Sequence, residues 1–318
     1  MSLLDGSDLR LGDLEVGDSL GRGGQGAVHE LRGPWADYVY KEYLVPTVNG
    51  DALARLVRVP GGMPSHERDL LLAQAAWPLA RVVDGGRVTG FLMPRVPAPF
   101  WGRRAKGPAL RELQYLLYDP KPLWGDITPL DGPGRLEIAR RAASLFLLLH
   151  SHRLVVGDVS MRNLLWSPSP PAVYLLDCDA IRRVGERPVL PQPQTPDWTD
   201  PQQPSTGPDL DTDRYKLALL VTRVLCKSPD LRPGEEPVFV PGLPERVKAE
   251  VAARFAEAAR PRGLRPDAAQ WVRALDERGT IELPPLPPVR TPPDLPKAPL
   301  GGGPIRRPTI RLRPPDRR

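Results

Sequence analysis

The sequence contains little cysteine and no long hydrophobic run. Cys178 and Cys226 are its two cysteines, too few for a disulfide framework and typical of a protein in a reducing compartment. No stretch approaches the roughly 18 apolar residues that a transmembrane helix requires. Residues 1–12 have neither the basic segment nor the apolar segment of a signal peptide. Together, these absences predict a cytoplasmic protein without a membrane span.

Excess positive charge is absent from most of the chain. Residues 281–318 hold twelve of the 42 prolines and eight Lys or Arg residues against three acids, which amounts to five of the six net positive charges. The other residues are close to neutral, which gives no indication of nucleic-acid binding. The basic segment has no aromatic side chain that could stack on bases. We therefore do not expect a nucleic-acid partner.

The proline density of residues 281–318 predicts a disordered, basic C-terminal tail, because proline removes a backbone donor and interrupts helices. One interpretation is that Pro284–Arg290, with the sequence PPLPPVR, is a ligand for a polyproline-binding partner. The other is an extended, solvated terminus without a dedicated partner.

The pattern of apolar residues changes near Pro94. Before it, strands are predicted at residues 11–16, 27–31, 38–43, 81–83 and 87–93, and helices at 51–59 and 65–76. After it, helices are predicted at residues 110–118, 136–152, 214–225 and 245–259, with a strand pair at 164–166 and 173–176. A strand-rich first third followed by a helix-rich remainder predicts an α+β fold.

A glycine-rich segment, Gly21-Arg22-Gly23-Gly24-Gln25-Gly26-Ala27-Val28, lies between the first two predicted strands. Its spacing, G-x-G-x-x-G-x-V, allows backbone N–H groups to approach phosphate oxygens. Dinucleotide-binding folds use a similar spacing, but they require a helix directly after the last glycine, whereas residues 27–31 continue as a strand. Taken alone, the segment also fits a hairpin that binds nothing.

Lys41 follows on the apolar strand Val39-Tyr40-Lys41. One interpretation is an edge-strand lysine whose ammonium group lies in water, as most do. The other is a buried cation that contacts the phosphates of a nucleotide.

The most specific segment is residues 152–165, with the sequence HRLVVGDVSMRNLL. Asp158 and Asn163 lie five residues apart in a predicted loop, and Asp177 ends a later strand, fourteen residues beyond Asn163. Carboxylate and amide oxygens are hard ligands that suit Mg²⁺, which makes Asn163 and Asp177 candidate metal ligands. Asp158 is a candidate to orient an attacking hydroxyl and accept its proton.

These motifs, in this order, resemble the eukaryotic-like (Hanks-type) protein kinase family, in a bacterial branch that carries D-C-D where most members carry D-F-G. Residues 195–202 are similar to the end of an activation segment. Asp213 is similar to the buried acid that supports the catalytic loop, and residues 265–271 are similar to the R-P-x-A element. The resemblance covers about residues 10–277.

The resemblance implies a bilobal protein-kinase-like fold, with a strand-rich N-lobe at about residues 10–94, a helical C-lobe at about 97–277, and the tail at 281–318. It also implies that the chain uses ATP and Mg²⁺ and acts on a protein substrate. The implied catalytic and metal-binding residues are Lys41, Asp158, Arg162, Asn163 and Asp177. The implied nucleotide-binding residues are Gly21, Gly23, Gly26, Val28, Lys41, Glu67, Met93, Pro94 and Val96.

Individual roles follow from the same resemblance. Lys41 is expected to contact the α- and β-phosphates, and Arg162 to supply positive charge near the γ-phosphate. Met93 is expected to be the gatekeeper beside adenine, with the Pro94 carbonyl and the Val96 N–H facing the base. Glu67 is the candidate partner of Lys41, although it also fits the first-turn acid of a helix.

The chain departs from the family pattern at several positions. Val156-Gly157 replaces the usual His-Arg, and residues 177–202 contain two hydroxyl residues, Thr195 and Thr199, so activation by loop phosphorylation is not expected. Gln202 replaces the terminal Glu of the activation segment, so a neutral hydrogen bond is expected where kinases form an ion pair with Arg265.

The D-C-D segment is a further departure. Asp179 replaces a glycine, which makes a large flip of the loop harder. Cys178 is interpreted either as a redox site or as a small buried residue in place of phenylalanine.

Three functions remain as hypotheses. The first is a Ser/Thr-type protein kinase, and the second is a pseudokinase or nucleotide-binding scaffold with little transfer activity. The third is a small-molecule kinase of the aminoglycoside or choline type, because Gly157-Asp158 is similar to a motif of that group. Those enzymes generally lack the full glycine-rich loop and the segments around residues 196–198 and Asp213, which argues against the third.

Overall fold

A six-stranded sheet is built from the part of the protein before residue 95, in a computed structural model that describes residues 6–191 and 195–277. Its strands are β1 (Leu9–Arg10), β2 (Val16–Arg22), β3 (Gly26–Leu31), β4 (Tyr38–Tyr43), β5 (Ala80–Asp84) and β6 (Arg87–Pro94). Their order is β1-β5-β6-β4-β3-β2, and the neighbours are antiparallel except for the parallel pair β1 and β5.

β4 lies inside the sheet, between β3 and β6. It is rich in aromatic and β-branched residues, which favour a pleated and buried strand. Alternate side chains of a strand point to opposite faces. Tyr40 accordingly packs in a cluster with Leu31 and Leu92, while Tyr43 joins the main hydrophobic core with Phe91.

Two helices separate β4 from β5. The first, α1 (Gly50–Arg58), begins after Asn49, whose side chain accepts a hydrogen bond from the Ala52 N–H. The second, α2 (Ser65–Gln74), buries Leu71. The segment that follows α2 forms a backbone hydrogen bond with the part of the protein that comes after the six-stranded sheet.

The part of the chain after the sheet is mainly helical. Its helices are α3 (Gln114–Leu117), α4 (Gly132–Ser151), α5 (Leu210–Cys226), α6 (Glu245–Ala258) and α7 (Ala268–Leu275). Asp131, Asp209 and Asp267 accept backbone hydrogen bonds at the starts of α4, α5 and α7, which satisfies donors that a helix N-terminus leaves unpaired. The core contains four fully buried tryptophans, Trp77, Trp166, Trp198 and Trp271.

Three short antiparallel pairs connect these helices. They are β7 (Trp101–Arg104) with β8 (Gly107–Leu110), β9 (Leu154–Val155) with β12 (Arg182–Arg183), and β10 (Leu164–Pro168) with β11 (Pro171–Leu175). The loops between β9 and β10 and between β11 and β12 carry the residues of the candidate site. The β-pairing therefore brings these two loops close to each other.

The predicted α+β class is confirmed, and two local predictions are wrong. Residues 11–16 were predicted as a strand, but Leu11–Asp13 form a 3-10 turn and the strand begins at Val16. Residues 110–118 were predicted as a helix, but the helix spans Gln114–Leu117 and follows the β7–β8 hairpin. The hairpin was missed because its strands contain Gly102, Arg103 and Pro108, which carry no alternating apolar pattern.

The predicted proline-rich tail at residues 281–318 lies outside the described residues. Within residues 6–191 and 195–277, no helix has both the length and the hydrophobicity needed to cross a bilayer.

Candidate functional site

A cleft of about 460 Å³ lies beside the turn between β2 and β3. One wall is this glycine-rich turn and β4, and the opposite wall comes from the loops after β9 and β11. The lining residues are Gly21, Arg22, Gly23, Gly24, Gln25, Gly26, Val28, Lys41, Asp158, Asp177, Asp179, Ala180, Leu190 and Pro191. Seven residues to which the resemblance gives a role in nucleotide binding, catalysis or metal binding therefore line one cleft: Gly21, Gly23, Gly26, Val28, Lys41, Asp158 and Asp177.

The glycines of the turn differ in whether the surrounding chain leaves room for a side chain at their position. The Gly23 N–H donates to the Gly26 carbonyl at 2.8 Å and closes the turn. A Cβ on Gly26 would lie 2.5 Å from the Glu42 carbonyl oxygen, so the sheet itself excludes a side chain there. A Cβ on Gly21 or Gly24 would meet no atom within 4 Å. Packing of the chain therefore does not explain glycine at these two positions, and the space beside them is open.

Lys41 points from β4 into the cleft and contacts two carboxylates. Its Nζ lies 3.0 Å from Asp177 Oδ1 and 2.7 Å from Asp179 Oδ1, with 11% of the side chain exposed. Burial alone would lower the pKa of Lys41, but the charges of Asp179 and Asp177 outweigh it and raise the pKa. Of the two interpretations of Lys41, an exposed edge-strand lysine or a buried cation, the structure shows the buried cation. Lys41 carries its charge at every physiological pH.

Asp177 has a strained backbone and an accessible side chain. It follows β11 with φ of 51°, in the left-handed region, which costs of the order of 1–3 kcal/mol in a residue other than glycine. Its side chain is 52% exposed. Such strain is found where a side chain must be aimed at a ligand.

Asp179 is buried behind Asp177, on the 3-10 turn Cys178–Ala180. Its side chain is 6% exposed, and its second oxygen, Oδ2, accepts a hydrogen bond from the Tyr43 hydroxyl at 3.2 Å. Burial and the charge of Asp179 raise the pKa of Tyr43. Both oxygens of Asp179 are therefore engaged by residues of β4.

The structure does not bring Glu67 to Lys41. Glu67 lies in the first turn of α2, and its Oε2 is 2.5 Å from Nε2 of His152, which follows α4. This arrangement matches the alternative interpretation of Glu67 as a first-turn acid.

The loop after β9 holds Asp158 and Asn163 against each other. Asn163 Nδ2 donates to the Asp158 carbonyl at 3.0 Å and to its Oδ2 at 3.1 Å. The Thr195 hydroxyl donates to Asp158 Oδ1 at 3.0 Å. Burial raises the pKa of Asp158, although its hydrogen bonds and the charge of Lys216 act in the opposite direction.

Two side chains of α5 support this loop. The carboxylate of Asp213 accepts hydrogen bonds from the Val156 N–H at 2.7 Å and the Gly157 N–H at 2.9 Å. Lys216 Nζ donates to the Gly157 carbonyl at 2.7 Å. Because Asp213 and Lys216 are buried, the loop is anchored to the helical core.

A second cleft of about 640 Å³ includes Asn163 and Thr195, which both contact Asp158. It is lined by Gln114, Tyr118, Lys121, Trp124, Ser160, Met161, Arg162, Asn163, Thr195 and Pro196. Arg162 is exposed there. Asn163 contacts Asp158 and lines this second cleft. Arg162 lies in the same lining.

Met93, Pro94 and Val96 lie at the end of β6 and just beyond it. Met93 and Pro94 pair with Val39 and Tyr38 of β4. Met93 and Val96 pack against a cluster that contains Leu165. These three residues therefore lie where the end of β6 meets the start of β4, outside the lining of the first cleft.

The prediction for Arg265 is wrong. The structure shows a buried ion pair between Arg265 and Asp200, with distances of 2.6 Å and 2.8 Å from the guanidinium nitrogens to the two carboxylate oxygens. Gln202 instead accepts a hydrogen bond from the Arg262 N–H. The acid lies two residues before the position that the resemblance indicated, so an ion pair holds the segment around Asp200.

Cys178 is 1% exposed. Burial and the charges of Asp179 and Asp177 raise the pKa of its thiol. A buried thiol of this kind is unreactive, which supports its interpretation as a small packing residue.

Sequence reasoning missed the roles of Asp179, Tyr43 and Thr195. Two signals were present: Tyr43 lies two residues after Lys41 and therefore on the same face of β4, and Asp179 is a second acid beside a candidate metal ligand. Among the described residues, no group of three or more His, Cys, Asp or Glu side chains is arranged to hold a metal. The candidate ligand set of Asn163 and Asp177 is smaller than such a group.

The similarity of the chain to known proteins supports a relationship to protein kinases. Two curated proteins from Escherichia coli, both named protein kinase YegI, are 31% identical to it: the protein of strain K12 over 171 residues and that of O157:H7 over 170 residues. The matched region is 52% of this chain and 23% of each relative, so it spans less than a quarter of their length. The chain matches no protein-family model.

Proposed function

We propose that the chain is an ATP-dependent protein kinase that transfers the γ-phosphoryl group of Mg-ATP to a Ser or Thr hydroxyl of a protein. The observation that carries the proposal is the meeting of Lys41, Asp158 and Asp177 in one cleft beside the glycine-rich turn. In this proposal the fold is bilobal, with the N-lobe at about residues 10–94 and the C-lobe at about 97–277.

The first cleft suits the phosphates of a nucleotide. The open space beside Gly21 and Gly24 would let phosphate oxygens approach the backbone. Lys41 supplies a permanent positive charge at the cleft wall, where low solvent exposure strengthens its attraction for an anion. Val28 lies in the same lining. The proposal places Met93, Pro94 and Val96 near adenine on the resemblance alone, since they lie outside that lining.

Asn163 and Asp177 suit Mg²⁺. The amide nitrogen of Asn163 is held by Asp158, so its carboxamide oxygen is the atom that would contact a metal. Asp177 offers an accessible carboxylate. Both are hard oxygen donors of the kind that Mg²⁺ prefers. When bound, the metal neutralises charge on the phosphates.

Asp158 would receive the acceptor hydroxyl of the protein substrate. Its carboxylate already accepts a hydrogen bond from an alcohol, that of Thr195. In the proposed reaction the acceptor oxygen forms the new bond to the γ-phosphorus, the bond to the bridging oxygen breaks, and ADP leaves. Asp158 orients the hydroxyl and takes its proton. Arg162, in the lining of the second cleft, would contribute positive charge near the γ-phosphate.

The alternative function is a nucleotide-binding scaffold with little transfer activity. The observation that favours it is that Leu190 and Pro191 form part of the lining of the first cleft. The Gln25 side chain donates to the Pro191 carbonyl at 3.0 Å, which ties the glycine-rich turn to the segment after β12. In a scaffold, this tie would hold the turn closed over the nucleotide.

The proposal is tested by incubating the protein with Mg-ATP labelled at the γ-phosphate and a generic protein acceptor, followed by analysis of the phosphorylated amino acids. A kinase of the proposed type labels serine or threonine, and Asp177→Ala abolishes the label. Label on tyrosine alone would contradict the Ser/Thr assignment. Nucleotide binding without any label in the presence of varied acceptors would favour the scaffold.

A further inference from the structure

We propose that Asp179 is the residue that positions Lys41 for the nucleotide phosphates, in place of an acid on α2. This inference rests on the proposed function for its consequence, but the Lys41–Asp179 contact can be tested without nucleotide. Asp179 touches neither substrate nor metal in this proposal, so it is a positioning residue that acts through Lys41.

Lys41 and Asp179 form a buried pair. The Lys41 and Asp179 side chains are 11% and 6% exposed, and Nζ lies 2.7 Å from Oδ1. A buried charge without a partner is strongly destabilising, and a close, hydrogen-bonded opposite charge is what makes a buried ammonium group tolerable. The distance from Lys41 to Asp179 is shorter than the 3.0 Å to Asp177.

Asp179 is itself held in place by the strand that carries Lys41. Lys41 and Tyr43 are two residues apart on β4, so their side chains share one face. Lys41 engages Oδ1 of Asp179, and the Tyr43 hydroxyl donates to Oδ2 at 3.2 Å. The carboxylate of Asp179 is therefore fixed by two side chains of β4.

The two acids of the D-C-D segment differ in their exposure to solvent. Asp177 is 52% exposed, whereas Asp179 is 6% exposed. Asp177 is therefore open to a metal or phosphate group, and it can exchange its contact with Lys41 for one of these. Asp179 can retain Lys41 throughout, because both side chains are buried and Nζ lies 2.7 Å from Oδ1.

Glu67, on α2, has a different partner. Its carboxylate contacts His152, so α2 does not supply the partner of Lys41 in this structure. The anchor of Lys41 instead lies two residues after Asp177 on the same turn. The proposed phosphate-binding lysine and the proposed metal ligand are therefore held by one segment, without any requirement that α2 move.

The test is a double-mutant cycle on the free energy of unfolding, measured by chemical denaturation of the full chain without nucleotide. The variants are Lys41→Met, Asp179→Asn and the double variant, with Lys41→Met and Glu67→Gln as the matched second cycle. Two residues that interact give non-additive changes, whereas residues without contact add. We expect strong coupling between Lys41 and Asp179 and additivity between Lys41 and Glu67. Additivity in the first cycle, or equal coupling in both, would overturn the proposal.

A second readout separates positioning from general damage. Asp179→Asn is expected to weaken ADP binding by about tenfold or more, the scale of one lost charge-assisted hydrogen bond, while adenosine binding changes little. In the Lys41→Met background the same substitution should leave ADP affinity unchanged. An equal loss for ADP and adenosine would mean that Asp179 only maintains the fold and would overturn the positioning role.

The two proposals can fail separately. A coupled Lys41–Asp179 pair in a protein that binds no ADP would contradict the proposed function and leave the contact established. If Asp179→Asn fails to fold, Tyr43→Phe takes its place, since it removes one hydrogen bond to Asp179 and keeps every charge. It should weaken ADP binding by severalfold with adenosine unchanged, and an unchanged affinity for ADP would overturn the proposal.

Discussion

Lys41 and Asp179 form a buried ion pair across 138 residues of sequence, with Nζ 2.7 Å from Oδ1. The pair joins the central strand of the sheet to the turn that follows β11. It therefore connects the strand-rich part of the protein to the loops that carry Asp158 and Asp177. Substitutions around this pair allow effects on the free energy of unfolding to be distinguished from effects on nucleotide binding and phosphoryl transfer.

Lys41→Met is predicted to abolish phosphoryl transfer and to destabilise the protein by about 3–5 kcal/mol. The loss of stability is expected because the substitution leaves Asp179 as a buried charge without its partner. Transfer assays and chemical denaturation measure the two effects. A variant with the stability of the wild type would mean that the pair is not buried as described.

Gly21→Ala and Gly26→Ala form a matched pair in the glycine-rich turn. Gly26→Ala is predicted to destabilise the sheet, because its Cβ would lie 2.5 Å from the Glu42 carbonyl oxygen. Gly21→Ala has open space around the new methyl group, so stability should change by less than about 1 kcal/mol. It should nevertheless weaken nucleotide binding, because the methyl group occupies the space assigned to phosphate oxygens.

Thermal unfolding and ADP titration of the two variants provide the measurement. Equal nucleotide affinity in Gly21→Ala and wild type would contradict the assignment of the turn to phosphate binding.

Arg265→Met is predicted to destabilise the fold by about 3 kcal/mol, the lower end of the range for a broken buried ion pair, because Asp200 keeps the Arg262 guanidinium at 3.8 Å. The Arg265 guanidinium group also lies 5.0 Å from the centre of the Tyr215 ring, and that contact is lost as well. Gln202→Ala is the matched control at the position where the ion pair was first expected. Because Gln202 is exposed, its substitution should cost less than about 1 kcal/mol. Comparable losses in both variants would contradict the Arg265–Asp200 pair.

Neither cysteine is predicted to react with a thiol reagent in the native protein at pH 8. Burial raises the pKa of Cys178, and it raises that of Cys226 to about 12. The thiolate is the reactive form, and a group with a pKa near 12 is ionised in only about one molecule in ten thousand at pH 8. Labelling followed by mass spectrometry should show two modified thiols after unfolding and none before. Rapid labelling of native Cys178 would revive its interpretation as a redox site.

Local patterns predicted much of the fold. β4 was predicted at residues 38–43 and spans Tyr38–Tyr43, because its aromatic and β-branched residues carry a clear strand signal. The long helix predicted at residues 136–152 is α4, Gly132–Ser151, and its start was missed because it contains Gly132 and Pro133. Proline in the first turn is compatible with a helix, although it interrupts the apolar pattern.

The contacts that shape the site were harder to predict. Three acids, Glu67, Asp177 and Asp179, are candidate partners of Lys41. Which of them contact Lys41 depends on how distant segments pack, and their spacing in the sequence does not determine it. The partner of Arg265 was displaced by two residues for the same reason. Long-range ion pairs depend on the packing of whole elements, whereas strands and helices depend on neighbouring residues.

The most direct test of the proposed phosphoryl transfer is the transfer rate of Asp158→Asn at saturating Mg-ATP, compared with wild type. Asparagine keeps the size of the side chain and its contact with the Thr195 hydroxyl, but it cannot accept the proton of a substrate hydroxyl. We predict a loss of at least about 100-fold in kcat, within the range that a general base contributes, with ADP affinity unchanged. A rate equal to that of wild type would contradict the assignment of Asp158 as the catalytic base and, with it, the proposed site of transfer.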